Sequence, residues 1–326
     1  MCDVPLVSVV VPTYERSAML VEAVESVFRQ TYGNVELLVV DDASELPAEQ
    51  ALAEVTPPAD TDLRVLRHEE NRGANAARNT GIEAARGEFV AFLDDDDYWR
   101  PGKLARQVSA LRGADEAVGV AFTGLVYVDE NGTTTATTSP VTDGDFLEQL
   151  VRGATFGTFS AVMARADVFD SAGLTDERFP CWQDREWYFS VAADYDYVSI
   201  PEPLTVRRYH DDRQISDDYE ARRDVAYPLL VQKHRDRIAA VDPGYERTFL
   251  ATLNRYVGLA ALRSQRYFDG VRYLLRALRY DPTAAATYLY LLVAVGGRYT
   301  YEPARVCRRL FERVSHYVST VRARPT

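Results

Sequence analysis

Three short apolar runs, each leading into turn or acidic residues, constrain this chain more than any other feature. Val7–Val11, Val35–Val40 and Glu88–Leu93 are β-branched or apolar, the signature of strands buried on both faces of a parallel sheet. Between them, Ala18–Gln30 and Ala74–Ala85 carry helical periodicity, and a third helix is expected at Gly102–Leu111, just after Pro101. Alternation of this kind predicts an α/β fold with an open, mainly parallel sheet and helices on both faces. Ligands of such sheets sit beyond the carboxyl ends of the strands, so those ends are where chemistry is expected.

Two acidic clusters stand there. Val35–Val40 runs into Asp41-Asp42-Ala43-Ser44, and Glu88–Leu93 into Asp94-Asp95-Asp96-Asp97. The first could simply cap the next helix. Four consecutive aspartates repel one another unless a cation or solvent offsets the charge. Oxygen-only ligands on a short loop suit Mg²⁺ or Mn²⁺, with water and phosphate filling the remaining positions. One cluster could then hold a metal while the other reads a base or ribose. No GxxxxGK[ST] loop and no GxGxxG turn occurs, which disfavours P-loop kinases and dinucleotide enzymes.

From about 133 to 210 the pattern loosens. Thr133–Ser139 reads as a loop or edge hairpin, Phe159–Met163 and Tyr197–Ile200 as strands, and Asp184–Ala193 as a helix. Beyond about 217 the chain reads helical, with Tyr256–Leu262, Tyr267–Arg279 and Ala284–Val295 apolar on one face and a basic helix over Pro303–Val321. Gly258, Ala277 and Pro282 fall at the spacing of one tetratricopeptide-like unit, and one unit makes a helical cap rather than an array. The expected division is residues 1–216 as the catalytic domain and 217–326 as a basic helical region.

Charge follows the same division. The net −12 is the sum of −21 over residues 1–244 (23 Lys/Arg, 44 Asp/Glu) and +9 over 245–326 (14 Arg, 5 acids). The acidic part would repel nucleic acid, which excludes a nucleic-acid partner. The basic part could meet an anionic surface such as the inner membrane leaflet. Only Lys103 and Lys233 are lysines, a bias that fits either a high-salt host or a GC-rich genome. Hydrophobic residues make up 47% of the 326, ample for a core and against disorder. The longest apolar run, Tyr288–Val295, is far short of the roughly 20 residues of a membrane-spanning helix. With no leader pattern and scattered Cys2, Cys181 and Cys307, the expected place is the cytoplasm, peripheral on the inner face of the membrane.

Taken together, four segments resemble the successive motifs of family 2 glycosyltransferases. They are Ser8-Val-Val-Val-Pro12-Thr-Tyr14-Glu-Arg16, Val40-Asp-Asp-Ala-Ser44, Asn71-Arg-Gly73-Ala-Asn-Ala-Ala-Arg78-Asn79-Thr-Gly81 and Phe92-Leu-Asp-Asp-Asp-Asp97. The resemblance covers roughly residues 5–212. It implies the GT-A fold, a Rossmann-like sheet with flanking helices, followed here by the C-terminal helical region. It also implies inverting transfer of a sugar from a nucleotide-diphosphate donor to a glycan or lipid-linked acceptor, assisted by Mg²⁺ or Mn²⁺.

Residue by residue, the resemblance puts Pro12, Tyr14 and Arg16 under the nucleotide base, with Asp42 on the base and Asp41 beside it. Asp94, Asp95 and Asp96 match the DxD element, one aspartate on the ribose and Asp96, with Asp94, on the metal. Arg78 and Asn79 match residues near the donor, where a guanidinium suits phosphate oxygens; otherwise their helix merely exposes them. The family's general base is the Asp of a Glu-Asp pair, matched by Asp184 with Gln183 in place of the usual Glu; Glu186 is the second candidate. Trp182 and Trp187 could stack on a sugar or belong to the core. His210 matches a late histidine near the metal or diphosphate, whereas His68, His234 and His316 have no motif around them. Two alternatives remain open at this point, a catalytically inactive nucleotide-sugar-binding scaffold and a nucleotidyltransferase.

Overall fold

The structure, a computed structural model, describes residues 4–208 and 218–305. Two compact units divide the chain. One runs to Leu150 and adds Ala154–Phe179 and the segment from Gln183 through the last strand; the other takes Val151–Gly153, Pro180–Trp182 and the helices from Tyr219 onward.

In chain order come β1 (Val7–Thr13), α1 (Ser17–Phe28), β2 (Val35–Asp41), α2 (Ala48–Ala51), β3 (Thr61–Arg67), α3 (Ala74–Ala84) and β4 (Phe89–Phe92). Then follow β5 (Tyr98–Trp99), α4 (Lys103–Gly113), β6 (Val118–Val128), β7 (Thr134–Thr138), α5 (Phe146–Arg152), β8 (Val162–Arg165), α6 (Val168–Ser171), α7 (Gln183–Val191) and β9 (Asp196–Arg208). Among the described residues the strands form one sheet in the order β3-β2-β1-β4-β8-β6-β9-β5, with β7 beside β6.

The first four strands in that order are parallel, as expected from their apolar runs. All seven residues of β1 and all seven of β2 are buried. Helix α1 presents Leu20, Ala23, Val24 and Val27 to them, the i, i+3, i+4, i+7 stripe of a helix packed on a sheet. Within this core Glu36 is fully buried, yet accepts from Ser8 Oγ (2.5 Å) and from the Arg86 backbone N–H (2.6 Å) and Nε (2.8 Å). Helix α3 lies so close to β1 that a Cβ on Gly81 would stand 2.3 Å from Val10 Cγ1; only glycine fits there.

Several expectations need correction. The expected α/β sheet with flanking helices is present, but beyond its parallel half β8 runs antiparallel to both β4 and β6. Phe159–Met163 is not one strand: Phe159–Ala161 form a 3₁₀ turn and β8 starts at Val162. Strands β3 and β6 were not anticipated. β3 is only half-buried, and Gly119, Thr123 and Gly124 interrupt the apolar pattern of β6. Gly124 is required by the sheet itself, since a Cβ there would lie 2.8 Å from Pro201 O and 2.9 Å from Thr138 O.

The second unit holds α8 (Tyr219–Ala221), a π-type turn at Arg222–Ala226, α9 (Tyr227–Val241), α10 (Pro243–Arg263), α11 (Tyr267–Tyr280) and α12 (Ala285–Val295). The helix read at Tyr256–Leu262 is the end of the much longer α10, whose start is capped by the Asp242 carboxylate on the Gly244 N–H. Gly258 of α10 meets Gly270 of α11 closely enough that a Cβ on Gly258 would lie 3.2 Å from Gly270 O. The basic helix expected at Pro303–Val321 lies, beyond residue 305, outside the described residues. No helix among the described residues is long and apolar enough to cross a membrane.

Candidate active site

Because β1 is flanked by β2 and β4, the loops that follow these three strands emerge side by side at their carboxyl ends. Thr13 pairs with Asp41 in register, and the first loop is tied to the second by Glu15 N–H to Ser44 Oγ (3.0 Å) and Glu45 N–H to Glu15 Oε1 (2.8 Å). Glu15 and Ala43 both adopt left-handed backbone (φ 58° and 66°). Such strain costs of order 1–3 kcal/mol per residue and persists where surrounding contacts over-determine the loop.

The two acidic clusters differ in how they are satisfied. Asp41 is fully buried and accepts from the Ser44 N–H (2.8 Å), the Ala48 N–H (3.0 Å) and Arg67 Nη1. Burial alone would raise its pKa, but these donors outweigh it and hold the carboxyl below its usual range. Asp42 is equally engaged: Oδ1 accepts from the Arg72 N–H (2.9 Å) and meets His68 Nδ1 (2.7 Å), and Oδ2 accepts from the Gly73 N–H (2.7 Å). His68 passes the link on to Thr80 Oγ1 at 2.9 Å, a positioning role the sequence did not reveal.

The second cluster is held differently, mainly by side chains. Asp94 accepts from Arg78 Nη2 at 2.6 Å, and its backbone N–H donates to Ser160 Oγ at 3.1 Å. Asp95 turns inward, accepting from Thr13 Oγ1 (2.7 Å), the Tyr14 N–H (3.4 Å) and Arg16 Nη1 (3.1 Å). Its burial, only partly offset by Arg16, pushes its pKa up to about 6. Asp96 accepts from the same Arg16 nitrogen at 2.9 Å. Asp97 is buried, and its Oδ1 has no hydrogen-bond partner. Burial, and then the charges of Asp96 and Asp94, push its pKa well up, with Arg207 opposing.

Carboxylate oxygens of Asp94, Asp96 and Asp97 all lie within 4.8 Å of one another. A buried, unpartnered carboxylate oxygen beside two like charges is costly, and a hard divalent cation on this oxygen-only set removes that cost. The residues therefore fit Mg²⁺ or Mn²⁺. Asp97 was missed because the DxD reading stops at Asp96; its signal was the unbroken fourth aspartate.

Arg78 is the hub of the site. Rather than being exposed on α3, it is buried, lies 4.3 Å over the Phe159 ring, and bonds Asn75 Oδ1 (3.0 Å), Asp94 and Gln183 Oε1 (2.9 Å). Gln183 thus supplies the acceptor for Arg78 that a carboxylate would, without adding a charge next to Asp184. Asp184, at the start of α7, is half-buried and accepts from the Arg185 N–H at 2.7 Å. Desolvation raises its pKa, against that N–H and the charges of Arg185, Arg207 and Arg78. Arg207 on β9 acts on both Asp97 and Asp184, so the strand reaches the site through its charge.

Other candidates fall elsewhere. Asn79 is also buried, and both ends of its amide are committed to the segment after α6. Nδ2 donates to Thr175 O (2.9 Å) and Glu177 Oε1 (3.0 Å), and Oδ1 accepts from the Thr175 N–H (3.0 Å) and Oγ1 (2.8 Å). Glu186 is fully buried on the inner side of α7 with Ser190 Oγ on Oε1. Trp187 belongs to the core, stacked on Phe169 and edge-on to Phe92. Pro12 is buried inside β1, whereas Tyr14 is 46% exposed just beyond it. Trp182 adopts left-handed backbone (φ 58°) two residues before Asp184. His210 lies outside the described residues. A shallow cavity of about 640 Å³ at the opposite strand ends, lined by Asn34, Asp60, Asp62 and Arg86 among others, shares no residue with this site.

An acid-rich loop at the carboxyl edge of a mixed α/β sheet, followed by a helical region, is the architecture of GT-A-type transferases. The chain matches the family model described as glycosyl transferase family 2 over residues 8–175, and it belongs to that family. It is 40% identical over 106 residues to the Escherichia coli UDP-Glc:alpha-D-GlcNAc-diphosphoundecaprenol beta-1,3-glucosyltransferase WfgD, 32% of this chain and 41% of that protein. The matches span between 27% and 41% of the length of three curated relatives. Among solved structures, S. aureus TarS 1–349 in complex with UDP-GlcNAc matches at TM-score 0.62 and 19% identity, covering 84% of this chain and 81% of that one. The mannosyltransferase PcManGT from Pyrobaculum calidifontis, in complex with GDP-Man and Mn²⁺, matches at TM-score 0.57 and 20% identity, covering 99% and 89%. At these identities the structural likeness establishes the GT-A fold.

Proposed function

We propose that the protein transfers a sugar from a nucleotide-diphosphate donor to a glycan acceptor with inversion at the anomeric carbon. The observation that carries the reading is the triad of Asp94, Asp96 and Asp97, whose carboxylate oxygens gather within 4.8 Å of one another just beyond β4. These three residues would hold Mg²⁺ or Mn²⁺, which supplies charge neutralisation of the departing diphosphate and spares a general acid. Arg16 and Arg78 add cationic groups beside the same aspartates. Tyr14, exposed beyond β1, is placed to lie against the base, and Asp41 and Asp42 hold the neighbouring loop in shape for it.

Asp184 acts as general base. The acceptor oxygen bonds to the anomeric carbon, the carbon–oxygen bond to the diphosphate breaks, and the hydroxyl proton passes to the Asp184 carboxylate. A pKa raised by desolvation makes this carboxylate a better proton acceptor than an ordinary solvated aspartate. The acceptor is a lipid-linked glycan of surface-polysaccharide synthesis, a reading supported by the diphosphoundecaprenol-linked substrate in the name of the E. coli relative. The domain division proposed with it places catalysis in residues 1–216 and the helical region in 217–326.

The test is calorimetric titration of the folded protein with UDP, GDP and dTDP, with and without Mn²⁺. Micromolar, metal-dependent binding of one nucleotide is expected, and it selects the base. Equal binding with and without metal removes the metal role; no binding of any of the three removes the donor site.

A further inference from the structure

The second unit carries a surface that glycosyl transfer does not use. Helix α12 contains no charged residue, and only Thr287 and Ala294 of it are buried. Leu289, Leu292, Val295 and, one turn on, Tyr299 are 65%, 71%, 71% and 89% exposed. The spacing of three places Leu289, Leu292 and Val295 on one face of α12, whereas Tyr299 follows the turn at Gly296-Gly297. On α11, which packs beside α12 through Leu274 and Ala294, the positions Phe268, Arg272, Leu275 and Arg279 recur at spacings of four and three and are exposed. The apolar side chains are thus interspersed with arginines.

The acids of this stretch are withdrawn from that surface. Asp269 accepts from Tyr219 Oη at 3.1 Å, Asp281 is taken by the Thr283 hydroxyl and N–H at 2.6 and 2.9 Å, and Glu302 pairs with Arg305 at 2.8 Å. Arg263, Arg276 and Arg298 remain exposed beside them. Large apolar side chains this exposed, grouped three to a helical face, are uncommon on a protein surrounded only by water. Arginines, tyrosines and leucines on one surface are what an interfacial helix presents to anionic headgroups and the acyl boundary.

We propose that the outer faces of α11 and α12 dock in the plane of an anionic lipid bilayer, with Leu289, Leu292 and Val295 entering the acyl boundary and arginines of α11 meeting the headgroups. Eleven residues are too few for α12 to span, so it lies in the interface. A second copy of this chain is a poorer occupant, because two-fold pairing sets each arginine-bearing surface against its own kind. Nucleic acid does not favour an uncharged face. The proposal uses the lipid-linked acceptor reading only for its purpose; the surface stands on its own geometry.

Co-sedimentation of the full chain with vesicles tests it. Vesicles of phosphatidylcholine with about one-third phosphatidylglycerol are expected to pellet the protein, and pure phosphatidylcholine is not, with each arginine worth on the order of fivefold in partition. The double variant Leu289→Glu/Leu292→Glu is expected to lose at least about tenfold in binding, since burying a charge at the acyl boundary opposes insertion. Arg272→Glu/Arg279→Glu is expected to lose more than that at low salt, and the difference from wild type shrinks as salt rises. Both pairs are solvent-exposed, so far-UV circular dichroism, melting temperature and nucleotide binding stay unchanged. That separates failure of docking from failure of the donor site. No pelleting on anionic vesicles, or pelleting undiminished in both variants, overturns the proposal. So does sedimentation velocity showing a wild-type dimer that Leu289→Glu/Leu292→Glu dissolves while vesicles capture nothing.

Discussion

The two acidic clusters begin alike, as aspartates at the carboxyl ends of neighbouring buried strands, and end in opposite electrostatic states. Asp41 and Asp42 are saturated by backbone N–H groups, with Arg67 on the first and His68 on the second. In Asp94–Asp97, by contrast, Arg16 and Arg78 donate to Asp94, Asp95 and Asp96, Asp97 Oδ1 has no hydrogen-bond partner, and pKa values are raised at Asp95 and Asp97. The lesson is that an acidic strand end is architecture when the chain supplies the donors. Where a buried carboxylate oxygen is left without a donor beside like charges, as at Asp97 Oδ1, the residues fit a cation.

The comparison yields four expected outcomes. The largest concerns Asp184: Asp184→Asn should lower the transfer rate by about 10²–10⁴-fold, the range for loss of a general base, while nucleotide affinity by calorimetry is unchanged. In the wild type the rate should fall with unit slope as pH drops through a value above the ordinary carboxylate range, since the base must be deprotonated. An unaltered rate in the variant would dismiss this carboxylate as the base.

Next is Asp41→Ala, expected to cost about 2–4 kcal/mol in urea denaturation, because it strands two buried N–H groups and an arginine. If stability holds and only donor binding suffers, Asp41 is not architecture and the contrast between the clusters collapses.

The third outcome is a pH effect. Asp95, raised to about 6, binds its proton in the folded state at pH values where the unfolded chain has lost it. Its contribution therefore stabilises the metal-free protein at low pH and fades by up to about 3 kcal/mol as pH rises from about 4 to about 6. Asp41, lowered, has the opposite sign: its contribution is present above the ordinary carboxylate pKa and is lost as pH falls through its folded value. Urea midpoints with and without saturating Mn²⁺ separate the two, because the cation should flatten only the Asp95 slope.

The smallest effect is the most discriminating. Asp97→Asn should leave metal-free stability within about 1 kcal/mol of the wild type, because burial already disfavours the ionised carboxyl there, while weakening Mn²⁺ binding by at least about tenfold. Stability and metal affinity moving down together would place Asp97 with Asp41 as scaffold.

Much of this was legible in the sequence because it is local. The runs that became β1, β2 and β4, the amphipathic stripes of α1 and α3, and the acidic residues at the strand ends are properties of neighbouring residues, and they appear where expected. The order of the motifs also carried the family, since each motif keeps its own loop chemistry wherever the chain folds. Strand β6 was not legible: its glycines are demanded by the carbonyls of Pro201 and Thr138, which are distant in sequence. The fates of Arg78 and Asn79 were hidden for the same reason. They are adjacent on one helix, yet one joins Asp94 to Gln183 and the other pins Thr175.

What the sequence determined by itself was which chemical groups stand at the strand ends and that those strands must be buried, because periodicity and apolar content act over a few residues. Only the tertiary structure decided which aspartates are satisfied. Hydrogen-bond donors such as Thr13, Arg16, Arg67 and Arg78 arrive from other strands, loops and helices, and the pKa of a carboxyl depends on who surrounds it, not on who precedes it.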